Sequence, residues 1–182
     1  GDTRQAVQVT MAQGASIEAN ATQQGDGGKV VLWSDVHNAS SVTQVDGRIE
    51  VKGAGTGNGG QVETSGHILQ VSEQLKLSAQ ATGSGTAGQW LLDPSDITIS
   101  SGTNSGQAYS GGDFAPTSGA STSVLNTATL QSVLDTATVT VTVSTTNMGT
   151  SGTGTGNITI GSTLTWTSAS KLILLATGGL TG

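Results

Sequence analysis

Three segments of the chain alternate apolar and polar residues and then break at a glycine-rich stretch. They are ASIEANATQQGDGGKVVLWSD from Ala15, GRIEVKGAGTGNGGQVETSGH from Gly47 and LKLSAQATGSGTAGQWLLDPSD from Leu75. Each begins as a strand of period two, crosses a Gly-rich turn and starts a second strand. The glycine-rich turns are 32 and then 28 residues apart, a spacing that predicts a solenoid with one repeat per coil.

The alternation also predicts how the coils stack. One coil cannot bury its apolar face alone, but parallel coils about 4.8 Å apart would pair their backbones and align equivalent side chains. We expect an interior ladder of apolar residues, formed by Ile17, Ile49 and Leu77. Water is expected to contact the polar residue that follows each of them: Glu18, Glu50 and Ser78. The predicted fold is all-β, a parallel β-helix or β-solenoid.

The glycines are interpreted as corners of the coil because they recur with the repeat. A turn between two faces can require a positive φ, which glycine adopts without steric cost. The structural turn residues predicted on this basis are Gly27, Gly28, Gly59, Gly60 and Gly88. Pro94, which follows Asp93, predicts a further corner, since proline fixes φ and aspartate can hydrogen-bond a turn.

The alternation lapses from residue 100 to residue 123. We predict that this stretch is a loop inserted between β-helix coils at 1–99 and further coils at 124–182. The loop contains Tyr109 and Phe114, the chain's only tyrosine and phenylalanine. If the chain itself binds a ligand, these exposed aromatic side chains are the candidate contacts.

A short helix is predicted after the loop, from the apolar spacing of Leu130, Val133 and Leu134. Thr127 or Thr129 is the candidate N-cap. Strands are expected afterwards at 139–143, 158–160, 163–168 and 171–177. No polar cap closes the array, so we expect a segment cut from a longer array that associates end to end through its unpaired strand edges.

Composition excludes several classes of protein. Charged residues are 10% of the chain and the net charge is −6, so no basic patch for nucleic acid is expected. No apolar run is long enough to span a membrane. Cysteine is absent, so disulfides do not stabilise the fold, which also suits passage through an outer-membrane pore in an unfolded state.

Candidate chemistry is sparse. His37 and His67 are out of register in their repeats and lack further converging ligands, so we expect turn histidines that face solvent, with no metal and no cofactor. Glu18 and Glu50 would stack at equivalent positions, but Arg48 and Lys52 next to Glu50 favour charge pairing across coils over a catalytic pair. The chain is therefore predicted not to be an enzyme. Asn20, Asn38 and Asn157 stand in N-x-[ST] sequons and are candidate glycosylation sites.

The succession GGKVVLWSD, GNGGQVETSG and GTAGQWLLDPSDITIS resembles the shaft of filamentous haemagglutinin-like and high-molecular-weight adhesins, the two-partner-secretion exoproteins. The match is good from Leu91 to Ile99, where LLDP and DITI close a coil, and the stretch from TLQSVLDTATVTVTV onward resembles the family's next module. The resemblance implies a right-handed parallel β-helix, export through an outer-membrane transporter and display at the bacterial surface. The family's N-terminal secretion domain is not visible in the sequence.

The expected function is therefore that of a structural shaft segment in a secreted adhesin that mediates cell-surface, cell-cell or biofilm adhesion and virulence. Its expected partners are the transporter during export and a host or bacterial surface glycan or protein. The alternative is a carbohydrate-binding or carbohydrate-cleaving β-helix, which would present clustered aromatic residues or carboxylates on a concave face.

Overall fold

The computed structural model of the chain describes residues 4–102, 107–110, 113–116, 123–136, 139–145 and 154–182, with backbone alone at 107–110 and 113–116. These residues are mostly β, as expected, with one short helix among them. The strands of the three repeats are β1 (Gln8–Met11), β2 (Ser16–Glu18), β3 (Lys29–Trp33), β4 (Val42–Val45), β5 (Arg48–Glu50), β6 (Gln61–Gly66), β7 (Ile68–Val71), β8 (Lys76–Ser78) and β9 (Gln89–Pro94). The later elements are β10 (Ile97–Ser100), β11 (Gln107–Ser110), β12 (Asp113–Pro116), β13 (Ser123–Asn126), α1 (Thr127–Thr136), β14 (Thr140–Ser144), β15 (Ile158–Ile160), β16 (Lys171–Leu175) and β17 (Leu180–Thr181).

Each of the three repeats, taken with the strand that precedes it, contributes one strand to each of three parallel sheets. Sheet 1 has the order β1-β4-β7, and sheet 2 has the order β2-β5-β8. Sheet 3 has the order β3-β6-β9-β14-β16. The predicted register is confirmed, because Ile17, Ile49 and Leu77 pair in sheet 2. Val30, Val62 and Trp90 likewise pair in sheet 3.

The inserted region disturbs the order of the strands. Sheet 4 has the order β13-β10-β15-β17, all parallel. Its strand β13 lies next to β7 of sheet 1, where the backbone N–H of Leu69 donates to Ser123 Oγ at 2.9 Å. Thus β10, which comes first in the chain, lies further from β7 than β13 does. In the chain, β11 and β12 come between β10 and β13, and their backbones form an antiparallel hairpin in which Tyr109 pairs with Phe114.

The predicted helix is present as α1, but its N-cap is neither threonine. Asn126 Oδ1 accepts the backbone N–H of Ala128 at 2.7 Å, which is the geometry of an N-cap. Thr127 and Thr129 are instead buried inside the helix. Asparagine and threonine are both good caps, so the apolar spacing alone could not decide between adjacent positions.

The strand predicted at 163–168 is wrong, although its alternation has a physical cause. Leu164 and Trp166 do pack against the core. The segment lies against α1, because Gln131 Nε2 donates to the Thr165 carbonyl oxygen at 2.5 Å and Asp135 Oδ1 accepts the Thr167 N–H at 2.9 Å. A helix has no free backbone edge for a strand to pair with, so no β-ladder forms here.

The core runs along the inside of the sheets as a single cluster of aliphatic side chains around the fully buried Trp90. The Trp90 indole N–H donates to Thr64 Oγ1 at 3.1 Å, which satisfies the polar atom of the largest buried side chain. Ile49, Leu92 and Val141 are equally inaccessible to solvent. In the described part of the chain no helix is long and apolar enough to cross a membrane.

Candidate functional site

The glycine corner joins sheet 2 to sheet 3 in each repeat. The glycine before each sheet 3 strand donates its N–H to the carbonyl oxygen of an alanine or valine just after the sheet 2 strand: Gly28 to Ala19 at 2.7 Å, Gly60 to Val51 at 2.6 Å and Gly88 to Ala79 at 2.7 Å. The carbonyl oxygens of the same glycines accept bonds from the next strand of sheet 3, as when Gln61 donates to Gly28 at 3.0 Å. One row of residues thus closes each repeat and also links it to the next.

These glycines are needed for space and not for a positive φ, which corrects the reason predicted from the sequence. Positive φ occurs at Gly14, Gly25, Gly47, Gly55 and Gly156, none of which belongs to the predicted corner set. A Cβ at Gly59 would overlap the carbonyl oxygen of Ala79, and a Cβ at Gly60 would overlap that of Gly28. Gly27 and Gly88 are restricted in the same way by neighbouring carbonyl oxygens, and a Cβ at Gly28 would lie 2.8 Å from Ala19 Cβ. Close approach of two backbones therefore selects glycine at the corner.

Pro94 lies one residue before the corner that it was expected to form. It is the last residue of β9 and pairs with Gly66, and the bend follows at Ser95 and Asp96. Asp96 holds the bend from outside, since its carboxylate accepts the Thr155 N–H at 2.9 Å and the Asn157 N–H at 2.9 Å. Proline fits the end of β9 because it has no N–H to donate to a ladder.

A cluster of charges lies on the outer face of sheet 2, as the stacking of Glu18 and Glu50 predicted. Arg48 bonds Glu50 Oε1 at 2.7 Å and reaches Glu18 Oε1 at 3.7 Å, across two repeats. Lys52 bonds the same Glu50 oxygen at 2.8 Å, and Asn20 Nδ2 donates to Glu50 Oε2 at 3.2 Å. Bonds from Lys52 and Arg48 lower the pKa of Glu50 to about 2, and Glu50 in turn raises the pKa of Arg48. Glu50 is therefore held ionised and is unsuited to be the proton donor of a glycosidase.

The two histidines occupy different environments. His37 is exposed in a turn, as predicted, and His67 is buried. His67 Nδ1 lies 2.8 Å from Ser95 Oγ and 3.2 Å from the Val36 carbonyl oxygen, so it connects successive repeats. The prediction that His67 faces solvent is therefore wrong, because a lone histidine after a glycine gives no sign of burial in the sequence. Within the described ranges, no three His, Cys, Asp or Glu side chains converge as metal ligands would.

The sequon asparagines differ in the use of their side chains. Asn20 and Asn157 donate through Nδ2, to Glu50 and to Thr155 at 2.7 Å. Asn38 Oδ1 accepts the Ser40 N–H at 3.0 Å within a local turn. The side chains of Tyr109 and Phe114, the predicted ligand contacts, lie outside what the structure describes.

A groove between sheet 2 and α1 was not anticipated from the sequence. It has a volume of about 290 Å³ and is lined on one side by Arg48, Lys52 and Lys76, and on the other by Ser132 and Thr136 of the helix. No local motif marks it, since its two walls lie more than fifty residues apart in the chain. Its only sequence signal is that three basic residues occur at equivalent or neighbouring positions of successive repeats.

Comparisons with known proteins give no relative for this chain. No family model matches it, and neither the curated proteins nor the solved structures include a match.

Proposed function

We propose that the chain is a structural shaft segment of a large, secreted bacterial adhesin displayed at the cell surface, folded as a right-handed parallel β-helix. The observation that carries the proposal is the in-register stacking of equivalent residues from three repeats in three parallel sheets. Such stacking makes a stiff rod that lengthens with each added repeat, because every repeat covers the apolar face of its neighbour and hydrogen-bonds to the neighbour's backbone. The resemblance to filamentous haemagglutinin-like shafts agrees with it.

The chemistry of the surface also supports a structural role. The features that recur in the three repeats are the glycine corners and the apolar ladders. In the described carboxylate cluster, Glu50 is engaged in ion pairs. Export through an outer-membrane transporter and adhesion to a surface glycan or protein are part of the proposal. We propose no enzymatic activity and no cofactor.

Surface labelling tests this proposal directly. Antibodies raised against the purified chain should label intact producing cells as strongly as permeabilised cells. A strain in which the chain is deleted in frame from its parent protein should show reduced adhesion. Labelling that appears only after permeabilisation would contradict surface display, and unchanged adhesion would contradict a role in the adhesin.

Self-association is a second consequence of the stacked strands. Strands β3 and β16 are the outer members of sheet 3, and they carry the exposed apolar side chains Val31, Trp33, Ile173 and Leu175. In the part of the chain that the structure describes, the outer edges of β3 and β16 are unpaired, and a second copy can complete such an edge. Sedimentation of the isolated chain should show concentration-dependent association, and a monomer at high concentration would contradict it.

A further inference from the structure

The groove between sheet 2 and α1 concentrates positive charge in an acidic protein. Three of the chain's six Lys and Arg residues line it, although the chain as a whole has a net charge of −6. Among the described residues that line it, Glu50 is the only one with a carboxylate. The lining therefore has a net charge of +2, which falls to +1 when Glu18, at 3.7 Å from Arg48, is included.

Within this lining, Arg48 and Lys76 are directly opposed like charges. They are cross-strand partners in the pairing of β5 with β8, and their side chains therefore leave the same face of sheet 2 at the spacing of adjacent strands. Like charges at opposed positions destabilise a sheet. Glu50 compensates Arg48 and Lys52, but Lys76 has no ion pair within the described residues. An anion bound beside Lys76 would relieve this repulsion.

The remaining lining residues suit a polar ring. Ser132 and Thr136 of α1 line the groove together with Gln80 and Ser78, and hydroxyl and amide groups can donate and accept hydrogen bonds. The Thr136 hydroxyl donates to the Ser132 carbonyl oxygen at 2.7 Å, so it can serve a ligand as an acceptor. Leu77 and Val133 add apolar surface. The volume of about 290 Å³ is at the lower end of ligand sites and corresponds to a single small ring.

We propose that this groove binds one carboxylated sugar unit. The carboxylate lies between Lys76 and Arg48, and the ring hydroxyls meet the serine, threonine and glutamine side chains. A single carboxylate matches the surplus charge of the groove, and the hydroxylated lining distinguishes a sugar from a bare anion. This inference adds ligand binding to the shaft function and does not depend on it.

Titration of the purified chain tests the site. Glucuronate is the probe, glucose is its uncharged match and inorganic sulfate is the bare anion, each followed by heteronuclear NMR shifts. Lys76→Gln removes the uncompensated charge from an exposed side chain, and Lys171→Gln removes an equal charge from exposed β16. We expect saturable glucuronate binding that Lys76→Gln weakens at least tenfold and Lys171→Gln leaves unchanged, with no saturation by glucose.

Three outcomes would overturn the proposal. They are the absence of saturable glucuronate binding, equal losses in the two lysine variants, and sulfate binding as tight as glucuronate binding. Thermal unfolding gives a second readout, because at one glucuronate concentration the Tm of the wild type and of Lys171→Gln should rise equally, and that of Lys76→Gln should rise less. None of these outcomes affects the surface-labelling test, so failure of the groove and failure of the shaft function can be distinguished.

Discussion

The first three repeats and the layer that contains α1 build the same corner in different ways. In the repeats, the residues before Lys29, Gln61 and Gln89 are all glycines, and neighbouring backbone or Ala19 leaves no room for a Cβ at any of them. In the next layer, α1 lies against β8 in place of a further sheet 2 strand, and the equivalent residue before Thr140 is Val139.

This difference shows what the glycines do. Val139 is 2% exposed and belongs to the core, so a large side chain is tolerated at this position once the neighbouring strand is absent. Gly88 lies at the boundary between the two regions. Its N–H donates to the Ala79 carbonyl oxygen in its own repeat, and its carbonyl oxygen accepts the Thr140 N–H of the α1 layer at 3.1 Å. In the repeats this row has no room for a Cβ, because Gly28 lies against Ala19 and because Gly60 and Gly88 each lie against the carbonyl oxygen of the preceding glycine in the row.

Filling the corner should have the largest effect. Gly59→Val would force its Cβ into the Ala79 carbonyl oxygen, so backbone of two repeats must move. We expect a loss of at least about 3 kcal/mol in the free energy of unfolding, or failure to fold. Urea denaturation followed by circular dichroism measures it. Gly102→Val is the control, because among the described residues a Cβ there meets only Ser100 Oγ, at 3.5 Å. An equal loss in the two variants would contradict the spatial explanation.

The buried ladder of sheet 3 should show the next largest effect. Trp90 and Val141 are register partners, both fully buried, one in the third repeat and one in the α1 layer. Trp90→Ala removes a large side chain and leaves Thr64 Oγ1 without its indole donor, so we expect a loss of about 3–5 kcal/mol. Val141→Ala should cost about half as much. If chemical denaturation gave equal losses in the free energy of unfolding for the two variants, the packing described for these two layers would be wrong.

Removal of the N-cap of α1 should have a smaller effect on stability, confined to the layer that contains α1. Asn126→Ala removes the acceptor of the Ala128 N–H, and a lost N-cap costs about 1 kcal/mol. Asn126→Asp keeps this acceptor but loses the Nδ2 donor that bonds the Gly102 carbonyl oxygen at 2.9 Å, so it should recover only part of the loss in thermal unfolding. Thr129→Val provides a further comparison, because Thr129 Oγ1 has no hydrogen-bond partner in the described structure. If Thr129→Val costs more than Asn126→Ala, the cap assignment is wrong.

The same two regions differ in how far the sequence predicts them. Period-two alternation and a recurring glycine spacing are local signals, and they correctly align Ile17 with Ile49 and Leu77. The position of β10 is not a local property, because ITIS alternates like any strand and nothing in it specifies β13 and β15 as neighbours. Alternation at 163–168 likewise reports a packed face, but whether a ladder forms depends on the element beside it.

The candidate site divides in a similar way. The ion pairs of Glu50 with Arg48 and Lys52 follow from their spacing of two residues, and the pair of Arg48 with Glu18 follows from repeat register, so the sequence predicts them. The groove requires the placement of α1 against β8, and the burial of His67 requires the contact with Ser95 of the following repeat. These are long-range packing contacts, which no local pattern encodes.

The charge cluster on sheet 2 should give the smallest effect, and one that depends on pH. The pKa of Glu50 is lowered from 4.5 to about 2 in the folded chain, so its ionised form stabilises the fold above about pH 4.5. This stabilisation is lost as the pH falls toward 2, because protonation breaks the bonds to Arg48 and Lys52. The free energy of unfolding of Glu50→Gln should therefore be lower than that of the wild type by about 1 kcal/mol at pH 6, and the difference should shrink toward pH 2. Glu73→Gln, which removes an exposed carboxylate without an ion pair in the described ranges, should show no such change. A difference for Glu50→Gln that stays constant from pH 6 to pH 2 would mean that the ion pairs are not its cause.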